Sequence, residues 1–206
     1  FKNGLFSFCS EIKGLMALSE NERAICYKGL AQIFTFWTTA TTLTPFKDIY
    51  QLPPAHYMVV NSEGINTYKY WESNLSYPGS SAALVFSDTV AEFKELLTDA
   101  VKIRLRADVP VGAYLSGGLD STTVTSLIHS IEPRILNTFS IGFEDPVYDE
   151  TSYQMEAARY LNTRHHAFKC SEEDIRNSFE KAVWHTEFPV LRTAPIPMYL
   201  LSGEVH

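Results

Sequence analysis

Residues 111–126 read Val-Gly-Ala-Tyr-Leu-Ser-Gly-Gly-Leu-Asp-Ser-Thr-Thr-Val-Thr-Ser. A short apolar strand, Val111 to Leu115, runs into the loop Ser116-Gly117-Gly118-Leu119-Asp120-Ser121, and a helix-like segment rich in Thr and Ser follows. Strand, glycine-rich loop and helix in that order present bare backbone N–H groups and a helix N-terminus to an anion. Five named residues in Ser-Gly-Gly-x-Asp-Ser, each at ordinary usage, match by chance with odds of roughly 10⁻⁶ per position.

Gly117 and Gly118 lack a Cβ, so the backbone can approach a phosphate closely and take positive φ. The hydroxyls of Ser116 and Ser121 add hydrogen bonds, and the first N–H groups of the helix add partial positive charge. Asp120 is the odd member, because a carboxylate beside a phosphate repels it. A Mg²⁺ between them removes the conflict, since this hard cation takes a carboxylate together with phosphate oxygens. The competing reading is a tight turn with Asp120 or Ser121 as a helix cap. A Walker loop fails because no lysine lies in the stretch. A serine-hydrolase elbow fails because Tyr114 stands where the first glycine of Gly-x-Ser-x-Gly belongs.

Around the loop, strands and helices alternate. A long amphipathic helix is predicted over Ser87–Arg106, with Asp88 near its start and Lys102, Arg104 and Arg106 at its end, which suits the helix dipole. Helix Ser121–Ser130, strand Ile135–Ile141, helix Asp149–Leu161, strand His165–Lys169 and helix Glu172–His185 follow. This alternation predicts an α/β fold, a parallel sheet flanked by helices on both faces. Ligands on such sheets bind at the carboxyl ends of strands. Leu115 and Ile141 end adjacent predicted strands there.

Before residue 80 the pattern differs. Leu5–Phe8 reads as a strand, Ser10 is placed to cap a helix over Glu11–Leu18, and Asn21–Trp37 reads as a second helix. Tyr57–Val60 and Ile65–Trp71 read as a hairpin about the turn Asn61–Gly64, and Pro78-Gly79-Ser80-Ser81 is the linker candidate.

The 206 residues carry a net charge of −7, which argues against a nucleic-acid partner. The three cysteines, Cys9, Cys26 and Cys170, form no Cys-x-x-Cys pair, so no disulfide framework or zinc ribbon is expected and a reduced, cytoplasmic setting is the default. No apolar run is long enough to span a bilayer. The chain opens with Phe1 and stops at His206 in a helix-like stretch, so it is expected to be a piece of a longer polypeptide.

The loop resembles the pyrophosphate loop of the ATP pyrophosphatase (PP-loop) superfamily. Its flanks resemble the glutamine-hydrolysing asparagine synthetases: Ser10-Glu-Ile-Lys-Gly-Leu15, Phe46-Lys-Asp-Ile49 with Leu52-Pro-Pro54, Asp108-Val-Pro-Val-Gly112, Phe139-Ser-Ile-Gly-Phe143, Tyr148-Asp-Glu150 and Pro197-Met-Tyr-Leu200. After Leu-Pro-Pro the family usually has glycine, and this chain has Ala55.

The resemblance implies that residues 1–72 are the C-terminal tail of an α+β glutaminase domain and residues 80–206 the N-terminal half of an ATP-binding synthetase domain. It implies ATP and Mg²⁺, with small-molecule substrates: aspartate, and glutamine or ammonia. A homodimer is an option. Aspartate's side-chain carboxylate would attack the α-phosphorus of ATP, and ammonia would then displace AMP. Ser116, Gly117, Gly118 and Ser121 would cradle pyrophosphate, Asp120 would hold Mg²⁺, Leu115 and Ile141 would meet the adenosine, and Arg192 would serve the synthetase step. The N-terminal cysteine nucleophile and the second nucleotide motif would lie elsewhere in the polypeptide; Ser202-Gly-Glu204 looks like the start of that motif but reads as helix. Two alternatives stand beside this reading. One is a β-lactam-forming or natural-product amidotransferase of the same family with another acid substrate. The other is a non-catalytic remnant that binds nucleotide or a partner.

Other residues take structural roles. His165 and His166 are adjacent on a strand and so point to opposite faces. Asp149 and Glu150 open a helix, where acidic residues are favoured. The aromatic run Phe34-Thr-Phe-Trp37 and the three cysteines are expected in core packing.

Overall fold

The computed structural model describes residues 1, 4–18, 23–73, 85–132 and 134–205. The predicted linker Pro78-Gly79-Ser80-Ser81 and the predicted helix start at Asn21 lie outside them. In chain order the elements are α1 (Ile12–Met16), α2 (Tyr27–Phe36), β1 (His56–Asn61), β2 (Gly64–Lys69), α3 (Phe86–Arg104), β3 (Gly112–Tyr114), α4 (Leu119–Ile131), β4 (Asn137–Phe143), α5 (Thr151–Tyr160), β5 (Arg164–Cys170), α6 (Glu172–Thr186) and α7 (Pro195–Val205). They divide into two compact units. One comprises Phe1–Gly79 with Glu180–Arg192, the other Ser80–Phe179 with Thr193–His206, and the division passes through α6.

In the first unit, β1 and β2 form an antiparallel hairpin, with Tyr57 opposite Tyr68 and their rings stacked at 5.2 Å. The side chain of Asn61 accepts the Glu63 N–H at 2.9 Å in the turn. Ala55, just before β1, takes φ 59°. That left-handed conformation favours glycine, and the Ala55 carbonyl accepts the Tyr70 N–H at 2.9 Å to close the hairpin's open end.

α1 is capped by a remote residue. Its N-cap is Glu11, not Ser10, and no local side chain caps it. Instead the Glu187 carboxylate accepts the N–H groups of Ile12 and Lys13, both at 2.7 Å, and lies 3.3 Å from the Lys13 ammonium. These are orphan donors that any helix start must satisfy. Glu187 makes this reach from φ 58°, in the turn that ends α6.

Three expectations fail here. Leu5–Phe8 forms no strand beyond a bridge at Leu5. Phe34, Phe36 and Trp37 are exposed, while Ile33 of α2 is buried. Gly29 sits with its α-carbon against the Thr44 carbonyl, leaving no room for a side chain. Cys9 is exposed and Cys26 accepts the Gly29 N–H as an N-cap, so only Cys170 is a buried cysteine.

The second unit is α/β. β3, β4 and β5 form a parallel sheet in that order, with Tyr114 opposite Phe139 and Phe143 opposite Cys170. Val101, Ile128 and Leu136 form a core cluster, flanked by Leu105, Ala113, Leu127 and Ile131, which packs α3 on α4. α7 carries the buried Ile196, Pro197 and Leu201 and packs on β4 and β5. Ser202-Gly-Glu204 lies inside that helix. The buried face of β4 is polar: Thr138, Ser140 and Gly142 are buried, while Phe139, Ile141 and Phe143 are half-buried. Among the described residues no helix is long and apolar enough to cross a membrane.

Candidate functional site

Leu115, fully buried, continues the ladder from β3 by donating its N–H to Phe139 O at 2.9 Å. The chain then leaves the sheet. Gly117 takes φ 78°, and a Cβ there would stand 2.6 Å from the Tyr153 carbonyl carbon and 2.7 Å from the Gln154 nitrogen of α5. Gly118 differs. Its φ of −74° is open to any residue, and a Cβ would find only the Ser116 hydroxyl, at 3.4 Å. Glycine at 117 is required by the fold, whereas glycine at 118 leaves bare backbone toward open space. That second case fits the close approach of a ligand.

The two serines hold the loop's shape. Ser116 Oγ and Ser121 Oγ lie 2.8 Å apart; Ser121 Oγ accepts the Ser116 N–H at 3.2 Å, and Ser116 Oγ accepts the Gly118 N–H at 3.3 Å. No side chain caps α4. The helix begins at Leu119, two residues earlier than predicted, so Asp120 sits in its first turn and not in the loop. Extended Gly118 is the reason: helical geometry can start immediately after it. Asp120 is exposed, and its side chain makes no hydrogen bond or ion pair among the described residues. Nor do three His, Cys, Asp or Glu side chains gather anywhere among those residues into an all-protein metal site.

α4 and α5 border a groove of about 440 Å³, lined by Gly117, Thr122, Tyr153, Glu156, Arg159 and Tyr160 among others. It touches the loop only at its glycine backbone; Ser116, Asp120, Ser121 and Ile141 do not line it.

Ile141 does not end its strand, because β4 runs on to Phe143 against β5 after β3 has stopped. Its carbonyl accepts the Gln154 side-chain N–H at 2.9 Å. Gln154 in turn belongs to a buried polar chain. Ser140 Oγ donates to Gln154 Oε1 at 2.8 Å and meets His165 Nε2 at 3.0 Å; His165 Nδ1 meets Thr138 Oγ1 at 2.9 Å, and Thr138 Oγ1 meets Thr163 Oγ1 at 2.8 Å. Burial pushes the His165 imidazole below the usual histidine range, and neighbouring His166 pushes it the same way. His166 points to the other face, stacked on Phe139 at 5.0 Å, as strand alternation predicts. Sequence reasoning missed Gln154, Ser140 and Thr138; the polar residues at alternate positions of β4 were the available signal.

Asp149 is structural. Its carboxylate accepts the Thr151 hydroxyl and the N–H groups of Thr151 and Phe143. The Thr151 bond does most to hold its carboxyl below the usual range, against the opposing effect of burial. Arg192 belongs to the other unit, where its guanidinium lies 4.6 Å from the centre of the Trp37 ring.

Residues 92–206 match the asparagine synthase family model, and residues 1–71 match the glutamine amidotransferase domain model. A Methanocaldococcus jannaschii protein assigned as asparagine synthetase (glutamine-hydrolysing) 2 is 35% identical over 202 residues, covering 96% of this chain and 38% of that protein. Asparagine synthetase (glutamine-hydrolysing) 1 of Bacillus subtilis is 30% identical over 198 residues, covering 96% of this chain and 30% of that protein. The amidase chyE of Penicillium rubens is 34% identical over 180 residues, covering 79% of this chain and 26% of that protein. The chain thus spans about a third of the length of these relatives. It belongs to the asparagine synthetase family.

Proposed function

We propose that this chain supplies the phosphate-holding part of an ATP-dependent, amide-forming ligase that activates the side-chain carboxylate of aspartate. The observation that carries the reading is the contrast within the loop: Gly117 pinned on α5, and Gly118 bare toward open space at the carboxyl end of a parallel sheet. On this reading residues 1–72 are the tail of a glutaminase domain that supplies ammonia, and residues 80–206 are the first half of the synthetase domain. The two family matches support that division.

The carboxylate of aspartate attacks the α-phosphorus of ATP, giving β-aspartyl-AMP and pyrophosphate; ammonia then displaces AMP to give asparagine. The loop's task is to hold charge developing on the leaving pyrophosphate. Gly117 and Gly118 offer main-chain N–H groups, the uncapped start of α4 adds partial positive charge, and the Ser116 and Ser121 hydroxyls turn from each other toward phosphate oxygens. Half-buried Ile141 borders the adenosine, while Leu115, fully buried, anchors the start of the loop beneath it. Asp120, an exposed oxygen donor one residue into the helix, fits Mg²⁺ as one carboxylate of the one or two such an ion takes. When bound, the ion neutralises phosphate charge beside it. Arg192 serves the same step by resemblance, two-donor recognition of carboxylate or phosphate being suited to a guanidinium.

The test is aspartate-dependent release of AMP and pyrophosphate by the full-length polypeptide, with ammonia and then with glutamine. Release with another acid and not aspartate would move the reading to a natural-product or β-lactam-forming relative, which the amidase-named match favours. No release with any acid, despite nucleotide binding, would leave a non-catalytic nucleotide-binding remnant.

A further inference from the structure

With His165 neutral, the form that burial favours, the polar chain under α5 has one consistent set of hydrogen positions. The Ile141 carbonyl can only accept, so the Gln154 amide must turn its N–H toward it. Gln154 Oε1 then faces Ser140, which must donate its proton to it. Ser140 Oγ is left to accept, so His165 carries a proton on Nε2. In the neutral ring Nδ1 is bare and takes the Thr138 proton, and Thr138 in turn accepts from Thr163. Thr138, Ser140 and Gln154 are 0%, 3% and 2% exposed. The Ile141 carbonyl is a main-chain group that an apolar residue at 154 would leave without this partner.

Its terminus gives it a use. Phe139 O faces β3, where it accepts the Leu115 N–H. Two residues on, strand alternation turns Ile141 O to the same side, but β3 has by then left the sheet to form the loop. The Gln154 amide stands where the next residue of β3 would have been. The same turn of α5 also presents the Tyr153 and Gln154 backbone to the α-carbon of Gly117. One helical turn thus touches both the phosphate loop and the edge of β4 at Ile141.

We infer that Gln154 is a positioning residue for nucleotide: its amide, oriented through Ser140 and His165, fixes the edge of β4 at Ile141, beyond the end of β3, against which the adenosine lies. This rests on the proposed ATP reading. The test separates the two ends of the nucleotide. In the full-length polypeptide, binding of ATP and of inorganic pyrophosphate is measured separately, with Mg²⁺, for the wild type, Gln154→Met and Ser140→Ala. Gln154→Met should weaken ATP about tenfold, the scale of one lost hydrogen bond, and leave pyrophosphate within about twofold, since pyrophosphate touches only the loop. Ser140→Ala, which keeps the amide but frees its orientation, should show the same selectivity at about threefold; it decides the matter if Gln154→Met does not fold. Unchanged ATP binding in these variants, or equal loss of ATP and pyrophosphate, overturns the inference and leaves the nucleotide reading intact. A wild type that binds neither ligand rejects the nucleotide reading and the inference with it.

Discussion

The α-carbon of Gly117 lies against the backbone of Tyr153, close enough that a β-carbon would stand 2.6 Å from the Tyr153 carbonyl carbon. Neither partner is the far end of a flexible side chain, so neither can yield cheaply. Gly117→Ala also forces alanine into φ 78°. The two penalties together should cost about 3 kcal/mol, read as a lower urea midpoint. Gly118→Ala, with open space and ordinary φ, should move stability by less than about 0.5 kcal/mol while weakening ATP, because its methyl group enters the space a phosphate would use. Equal stability losses in the two variants would contradict this division of roles.

Asp120→Ala should abolish Mg²⁺-dependent adenylation in the full-length polypeptide. The side chain is exposed and unbonded among the described residues, so stability should stay within about 0.5 kcal/mol. Adenylation at the wild-type rate would remove Asp120 from the mechanism.

Glu187→Gly tests the remote cap. Glycine is the easier residue at φ 58°, so the substitution relieves about 1 kcal/mol of backbone strain. It also removes a charged acceptor from the Ile12 and Lys13 N–H groups, whose loss costs about 1.5–3 kcal/mol for each bond made to a charged group. The loss is larger, so the variant should melt lower. The carboxyl titrates below its usual range: burial opposes this, but the N–H groups of Lys13 and Ile12 and the Lys13 ammonium outweigh it. Its contribution is therefore present above about pH 4.5 and is lost as the pH falls through the depressed folded value.

Ala55→Gly should stabilise. Relief of about 1–2 kcal/mol of left-handed strain outweighs the roughly 0.4–1 kcal/mol that glycine adds to unfolded-chain entropy. A rise in melting temperature checks this; a fall would show that packing of the Ala55 methyl group outweighs its strain.

His165 should make stability pH-dependent. Its folded value lies below the usual one because burial, and then His166, disfavour the charged ring. Between that folded value and about 6.5 the unfolded chain binds more protons. Stability therefore falls as pH drops through this window and is constant above it. Urea unfolding of the wild type and His165→Gln across pH 5–8 (roughly the histidine range) should show the slope in the wild type only.

The order of strand, loop and helix at residues 112–131 was legible because local rules govern it, glycine admitting φ 78° at 117; the helix start at Leu119, directly after extended Gly118, was not. The α/β alternation was legible for the same reason, since apolar period and turn chemistry are local properties. Gln154 was not, because its partners Ile141, Ser140 and Gly117 are remote in sequence and only the crossover of α5 over the sheet brings them together. The exposure of Phe34, Phe36 and Trp37 was hidden likewise, since burial depends on what packs against α2 and not on the run itself. Sequence by itself determined which local conformations the chain can adopt and which chemistry its loop can offer. Only the tertiary structure decided which polar groups face one another, because a hydrogen bond depends on distances of about 3 Å that chain spacing does not encode.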